Sequence, residues 1–107
     1  MKLWLDDIRN PAAFGCLGWH WVRTAQEAMA WFASDEEITE ASLDHDLGWE
    51  ATLGLESAEL TGYDVVVFLE EHPTRWPVNG VKVHSSNPAG AKRMQVVIDA
   101  HYKKENQ

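Results

Sequence analysis

Two short apolar runs end abruptly in acid: Leu3-Trp4-Leu5 stops at Asp6-Asp7, and Ser42-Leu43 stops at Asp44-His45-Asp46. Apolar runs this short are buried strands rather than helices. Further along, Val81 to His84 repeats the pattern and ends in Ser85-Ser86-Asn87-Pro88. Between the strands lie stretches with helical spacing. That alternation predicts an α/β fold with a mostly parallel sheet and helices on both faces. In such a sheet, ligands bind outside the carboxyl ends of the strands, where strand order reverses. If the first and third strands are neighbours, up to four carboxylates converge there. Two of them ~5 Å apart repel by roughly 3 kcal/mol at an effective dielectric of ~20. A cation, a shared proton or dense hydrogen bonding has to relieve that repulsion. A hard divalent cation with oxygen ligands is the simplest solution.

The chain has 107 residues and 45% hydrophobic content, enough for one small domain, 1–107, with a real core. Its formal charge of −8 argues against broad nucleic-acid binding through the phosphate backbone. A small phosphorylated ligand held by a metal and a few local cations remains compatible. The single cysteine, Cys16, excludes a disulfide within the chain and fits a reducing compartment. It sits in Phe14-Gly15-Cys16-Leu17-Gly18 with no adjacent base, so it reads as a packing residue. No signal peptide or membrane span is apparent, which points to the cytosol. Most of the six tryptophans are expected in the core; Trp49, just past the second acidic run, could instead stack on a base or cap the site.

Lys2 to Leu5 reads as the first strand, followed by a loop or short helix after Asn10-Pro11. His20 to Arg23 is the second strand. Thr24-Ala25-Gln26-Glu27 is a capping box, with Ala28, Met29 and Phe32 forming an apolar stripe behind it. Ile38 to Leu43 is the third strand. Gly48 to Leu60 forms a long connection with a helical turn around Leu55 to Leu60. Thr61-Gly62-Tyr63-Asp64 opens an element that ends at His72-Pro73. Its valines favour strand, but the cap, the acidic first turn and the proline stop favour helix over Val65 to Glu71. Asn87 and Pro88 mark the last helix start, whose Ala91, Met94, Val97, Ile98 and His101 keep helical spacing. Lys103 and Lys104 suit its carboxyl end, and the residues from 103 to 107 are expected to fray.

The chemistry concentrates at three strand ends. Asp6, Asp7 and Asp44 are the candidate ligands for Mg²⁺ or Mn²⁺, with Asp46 or its carbonyl completing the shell. A lone aspartate there could merely cap a turn; two acidic runs after two strands point to metal or catalysis. His45 is a candidate ligand or base, although alternation can equally turn it away from Asp44 and Asp46. His84 can protonate a leaving oxygen or orient water, or be a satisfied core histidine. Ser85, Ser86 and Asn87 stand at a helix N-terminus, where anions bind, and Arg9, Lys92 and Arg93 can reach the same anion. His72 and His101 read as helix-end or surface residues.

The arrangement resembles response-regulator receiver domains, flavodoxin-like three-layer sandwiches with parallel strand order 2-1-3-4-5. The resemblance implies that Asp6 and Asp7 match the metal-binding pair, Asp44 the phosphoacceptor and Ser85 the hydroxyl that senses phosphorylation. Two departures stand out: no fifth strand with its phosphate-contacting lysine follows, leaving order 2-1-3-4, and the connection from Asp46 to Gly62 is long. The chain is more similar to a divergent group, the cyclic-phosphate-processing receiver domains. The carriers are the segments Leu3 to Arg9, Arg23 to Ala25, Ser42 to Gly48, Thr61 to Val66 and Val83 to Gly90, with Arg93-Met94. That group's proposed role is processing cyclic phosphates in RNA repair or antiviral nucleotide signalling in bacteria and their phages.

Three functions are compatible with these residues. The first is a metal-dependent phosphoesterase opening the cyclic phosphate of a nucleotide or RNA-derived ligand. Asp44, His84 and His45 would be catalytic in it, with Asp6, Asp7, Asp44 and Asp46 on the metal. Arg9, Ser85, Ser86, Asn87 and Arg93 would hold the phosphate. The second is a sponge or sensor that binds such a ligand without turning it over. The third is a signalling receiver phosphorylated on Asp44.

Overall fold

The computed structural model describes residues 1–47 and 60–105. Strands β1 (Lys2–Leu5), β2 (His20–Val22), β3 (Glu40–Leu43) and β4 (Val81–Val83) form one parallel sheet in the order β2-β1-β3-β4. Helices α1 (Ala25–Ala33), α2 (Gly62–Glu71) and α3 (Pro88–Glu105) complete the fold. This is the receiver-like, flavodoxin-like α/β architecture with strand order 2-1-3-4. Strands two to four are each one or two residues shorter than the apolar patterns suggest. The element from 62 to 71 is helical: its cap outweighs its valines, with Asp64 Oδ2 accepting the Thr61 N–H at 2.7 Å. At the start of α1, Thr24 Oγ1 accepts the Glu27 N–H at 3.1 Å, while Glu27 reaches back only to the Thr24 hydroxyl.

The layering differs from helices on both faces. α2 packs between α1 and α3, and the buried side chains of all three join Leu3, Leu5, Val22, Ala41, Leu43 and Val81 in one core. The reason lies in connection handedness. The β2-to-β3 and β3-to-β4 crossovers run the same way along the sheet, so right-handed connections put both helices on one face. The β1-to-β2 connection runs the opposite way and crosses the other face. It carries only a 3₁₀ turn, Pro11–Phe14, capped by Asn10 Oδ1 on the Ala12 N–H and closed by Gly15 at φ 77°. The third layer is therefore thin. On that face Trp4 stacks against Phe14 and meets Trp19 edge-on, and Glu40 pairs with Lys2 and Lys82 across the strands.

The tryptophans reflect this. Trp4 is buried, but Trp19, Trp21, Trp31 and Trp76 are only half-buried around the core's rim. A sheet with one full helical layer offers less interior than six indoles need. Cys16 is half-buried in the thin layer. His72 is exposed at the end of α2, and His101 stacks on Trp76. Trp49 and the helical turn expected from 55 lie outside the described residues. Among the described residues, no helix is long and apolar enough to cross a membrane.

Candidate functional site

β1 and β3 are neighbours, with Leu5 opposite Leu43, so Asp6 and Asp44 leave adjacent strands at the same edge. Asp6, Asp7 and Asp44 are all buried, and each has a carboxylate oxygen within 4.8 Å of the others. A buried carboxylate gains nothing from leaving water unless something compensates. For Asp6 part of the compensation is visible: its Oδ1 accepts the backbone N–H groups of Ile8 (2.9 Å) and Arg9 (2.8 Å). Asp44 is under-compensated. Burial foremost, then the Asp6 charge, pushes its carboxyl up to about 6, against the opposing pull of a hydrogen bond from Ser85 and the Arg9 guanidinium.

The backbone beneath these residues is pinned from several directions. The Trp21 Nε1–H donates to the Asp6 carbonyl at 2.7 Å, and Arg23 donates twice to the Asp7 carbonyl, at 2.9 and 2.6 Å. The Trp4 Nε1–H donates to the Arg9 carbonyl at 2.9 Å. Behind Asp44, α2 begins so close that a Cβ on Gly62 would overlap the Asp44 carbonyl oxygen. The Gly62 N–H donates to the His45 carbonyl at 2.9 Å. Only glycine permits that approach.

His84 lies beside the cluster: its Nε2 is 3.1 Å from Asp6 Oδ2 and its Nδ1 2.7 Å from Ser42 Oγ. Burial pushes its imidazole below the usual range, although Asp6 pulls the other way. Arg9 swings across to donate to the His84 carbonyl (3.2 Å) and to Ser86 Oγ (3.3 Å). Arg9, Ser85 and Ser86 therefore share one rim with the acidic cluster and the start of α3.

The remaining candidates are placed differently. His45 is buried away from the three carboxylates, its ring against Gly90 of α3, where an added Cβ would come within 2.6 Å. Its Nδ1 is 2.7 Å from Asp46 Oδ1, and its Nε2 has no partner among the described residues. Asp46 is exposed and stands outside the cluster. His45, then the Asn87 amide, hold its carboxyl below the usual range. Asn87 Nδ2 donates to Asp46 at 3.2 Å and Asn87 Oδ1 accepts the Gly90 N–H at 3.0 Å, so this side chain fastens α3 to the β3 end. Arg93 lies over the Tyr63 ring, 5.0 Å from its centroid, and Lys92 is exposed.

Sequence reasoning alone did not single out Trp4, Trp21, Arg23, Ser42 or Gly62 as parts of the site. A signal existed for Trp4 and Ser42: on a strand, each shares its face with the aspartate two residues later. None existed for Trp21 or Gly62, whose roles depend on strand register and helix placement.

The family described as cyclic-phosphate processing receiver domain matches residues 1–100. Comparison with curated proteins and with solved structures gives no match. The family match spans β1 to most of α3 and includes every residue of the acidic cluster and of the rim formed by Arg9, Ser85 and Ser86. The chain thus belongs to the cyclic-phosphate-processing receiver domains.

Proposed function

We propose that the protein is a divalent-metal-dependent phosphoesterase that opens a cyclic phosphate on a nucleotide or RNA-derived ligand. The observation that carries this reading is the trio of buried carboxylates within 4.8 Å, one of them driven up to about 6. Three hard oxygen donors beside a rim carrying Arg9, Ser85 and Ser86 fit Mg²⁺ or Mn²⁺. Asp6 and Asp7 would hold the ion, with Asp44 reaching both it and the reacting phosphate. The ion supplies positive charge against the phosphoryl oxygens.

The chain's own groups do the rest. Arg9, Ser85, Ser86 and the N-terminus of α3 bind the non-bridging oxygens. Asp44 takes a proton from the attacking water as its oxygen bonds to phosphorus. The same carboxyl returns that proton to the ring oxygen as its P–O bond breaks, so the ring-opened monoester forms with atoms balanced. Asn87 and Asp46 fix the α3 start rather than touch the phosphate.

The engagement of both histidines favours a second reading. His84 is committed to Asp6 and Ser42, and His45 is buried against α3. With no free imidazole at the rim among the described residues, the same side chains suit a module that holds its ligand intact. The two are separated by incubation with Mg²⁺ or Mn²⁺ and a panel of 2′,3′-cyclic nucleotides, 3′,5′-cyclic nucleotides, cyclic oligonucleotides and ADP-ribose cyclic phosphate. The enzyme reading expects ring-opened product that disappears with EDTA and in Asp44→Asn. Product retained in Asp44→Asn contradicts it, and intact ligand recovered from a stoichiometric complex supports the binding module.

A further inference from the structure

We infer that Ser42, His84 and Trp4 form a buried relay that orients the Asp6 carboxylate toward the metal, making His84 a positioning residue rather than a proton donor to substrate. The inference rests on the reading of Asp6, Asp7 and Asp44 as a metal site.

The geometry runs in one line from the core to the cluster. Ser42 Oγ is 2.7 Å from His84 Nδ1, and His84 Nε2 is 3.1 Å from Asp6 Oδ2. Ser42 is 5% exposed and Asp6 is 0% exposed, while the His84 side chain keeps 18% exposure, so the two ends of the relay are shielded from water. The His84 ring is clamped flat against Trp4, with centroids 3.9 Å apart and planes 10° apart. Its carbonyl is held by Arg9 at 3.2 Å. The ring face, both ring nitrogens and the backbone carbonyl of His84 are therefore all engaged.

The hydrogen-bond arithmetic selects one tautomer. Asp6 Oδ1 already takes two backbone N–H groups, and a carboxylate oxygen at Oδ2 also requires a donor. Nε2 therefore carries the proton and donates to Asp6. Nδ1 is then an acceptor, and the Ser42 hydroxyl is its donor. With both oxygens of Asp6 fixed from behind, one of them still lies within 4.8 Å of carboxylate oxygens of Asp7 and Asp44. Outer partners of this kind set ligand direction, and losing one typically costs about 10–100-fold in metal affinity.

The strand register explains why these residues meet. Trp4 lies opposite Ser42, and Ser42 opposite Lys82, so Trp4 and Ser42 share the sheet face that carries no α-helix among the described residues. His84 follows β4 two residues after Lys82 and falls on that same face. The relay occupies the thin side of the sheet, where Phe14 and Trp19 close over Trp4.

The test measures Mn²⁺ affinity by calorimetry in the full chain and its variants, and reads the His84 tautomer by long-range ¹H–¹⁵N NMR without metal. His84→Ala should bind Mn²⁺ about 10–100-fold more weakly. His84→Gln, whose amide N–H can take the place of Nε2–H, should recover most of that loss. The metal-free wild type should show neutral His84 protonated on Nε2, and Ser42→Ala should mix the tautomers. Wild-type affinity in a folded His84→Ala, His84→Gln no better than His84→Ala, or a proton on Nδ1 would each overturn the relay. A wild type that binds no Mn²⁺ overturns the relay and the metal reading together. A wild type that binds Mn²⁺ but opens no cyclic phosphate overturns only the proposed reaction.

Discussion

Asp44 differs from Asp6 in how little repays its burial. Asp6 has two backbone N–H groups and His84, whereas Asp44 faces Asp6 across the site and keeps its proton up to about 6. A carboxyl whose folded value exceeds its unfolded 3.8 contributes stability fully present below 3.8. That contribution is lost as pH rises through about 6. In EDTA, Asp44→Asn should therefore melt higher than wild type at pH 7.5, and the gap should close by pH 4. A gap independent of pH in parallel thermal melts would contradict this account of the site. At this scale the acidic residues were legible because two runs of apolar residues end in them. The partners of Asp6 were not. His84 is 78 residues away in the chain, and only the sheet register brings it there.

Elements position the site through two close approaches. α2 starts against the Asp44 carbonyl at Gly62, and α3 starts against the His45 ring at Gly90. Gly62→Ala places a Cβ on backbone that cannot rotate away, so the β3 end or α2 has to shift. A cost of about 1–3 kcal/mol is expected from such overpacking. Chemical denaturation checks the cost, and the same variant should lose metal affinity because Asp44 moves with its carbonyl. Unchanged stability and affinity would mean that α2 does not set the position of Asp44. The caps made these helices readable: Thr61 with Asp64, and Asn87 with Pro88, outweighed the valines and placed both starts. The closeness of Gly62 to Asp44 was not readable, because nothing in Thr61-Gly62-Tyr63-Asp64 distinguishes a helix start in solvent from one pressed on a strand end.

Across the whole molecule, the parallel sheet was legible from alternating apolar runs and caps, and its order from the resemblance to receiver domains. The one-sided helix layer was not, because it follows from the direction of each crossover rather than from the periodicity of any segment. The consequence is a domain whose acidic edge is rigidly built on one side by α2 and α3 and on the other by aromatic side chains. Metal binding should therefore stabilise the whole fold. At a hundredfold excess over its dissociation constant, an ion binding only the native state contributes about 2.7 kcal/mol, a rise of roughly ten degrees in melting temperature for a domain this size. EDTA should reverse it, and no shift with Mg²⁺ or Mn²⁺ would count against the metal site. The central claim, that this edge hydrolyses a cyclic phosphate, is tested most directly by one mass measurement. The protein, Mg²⁺ or Mn²⁺ and a cyclic phosphate ligand are incubated in ¹⁸O-enriched water, and ligand and protein are both weighed. The account predicts a ligand heavier by one labelled water and a protein of unchanged mass. An intact ligand, or a protein that has gained a phosphoryl group in place of a hydrolysed ligand, would contradict it.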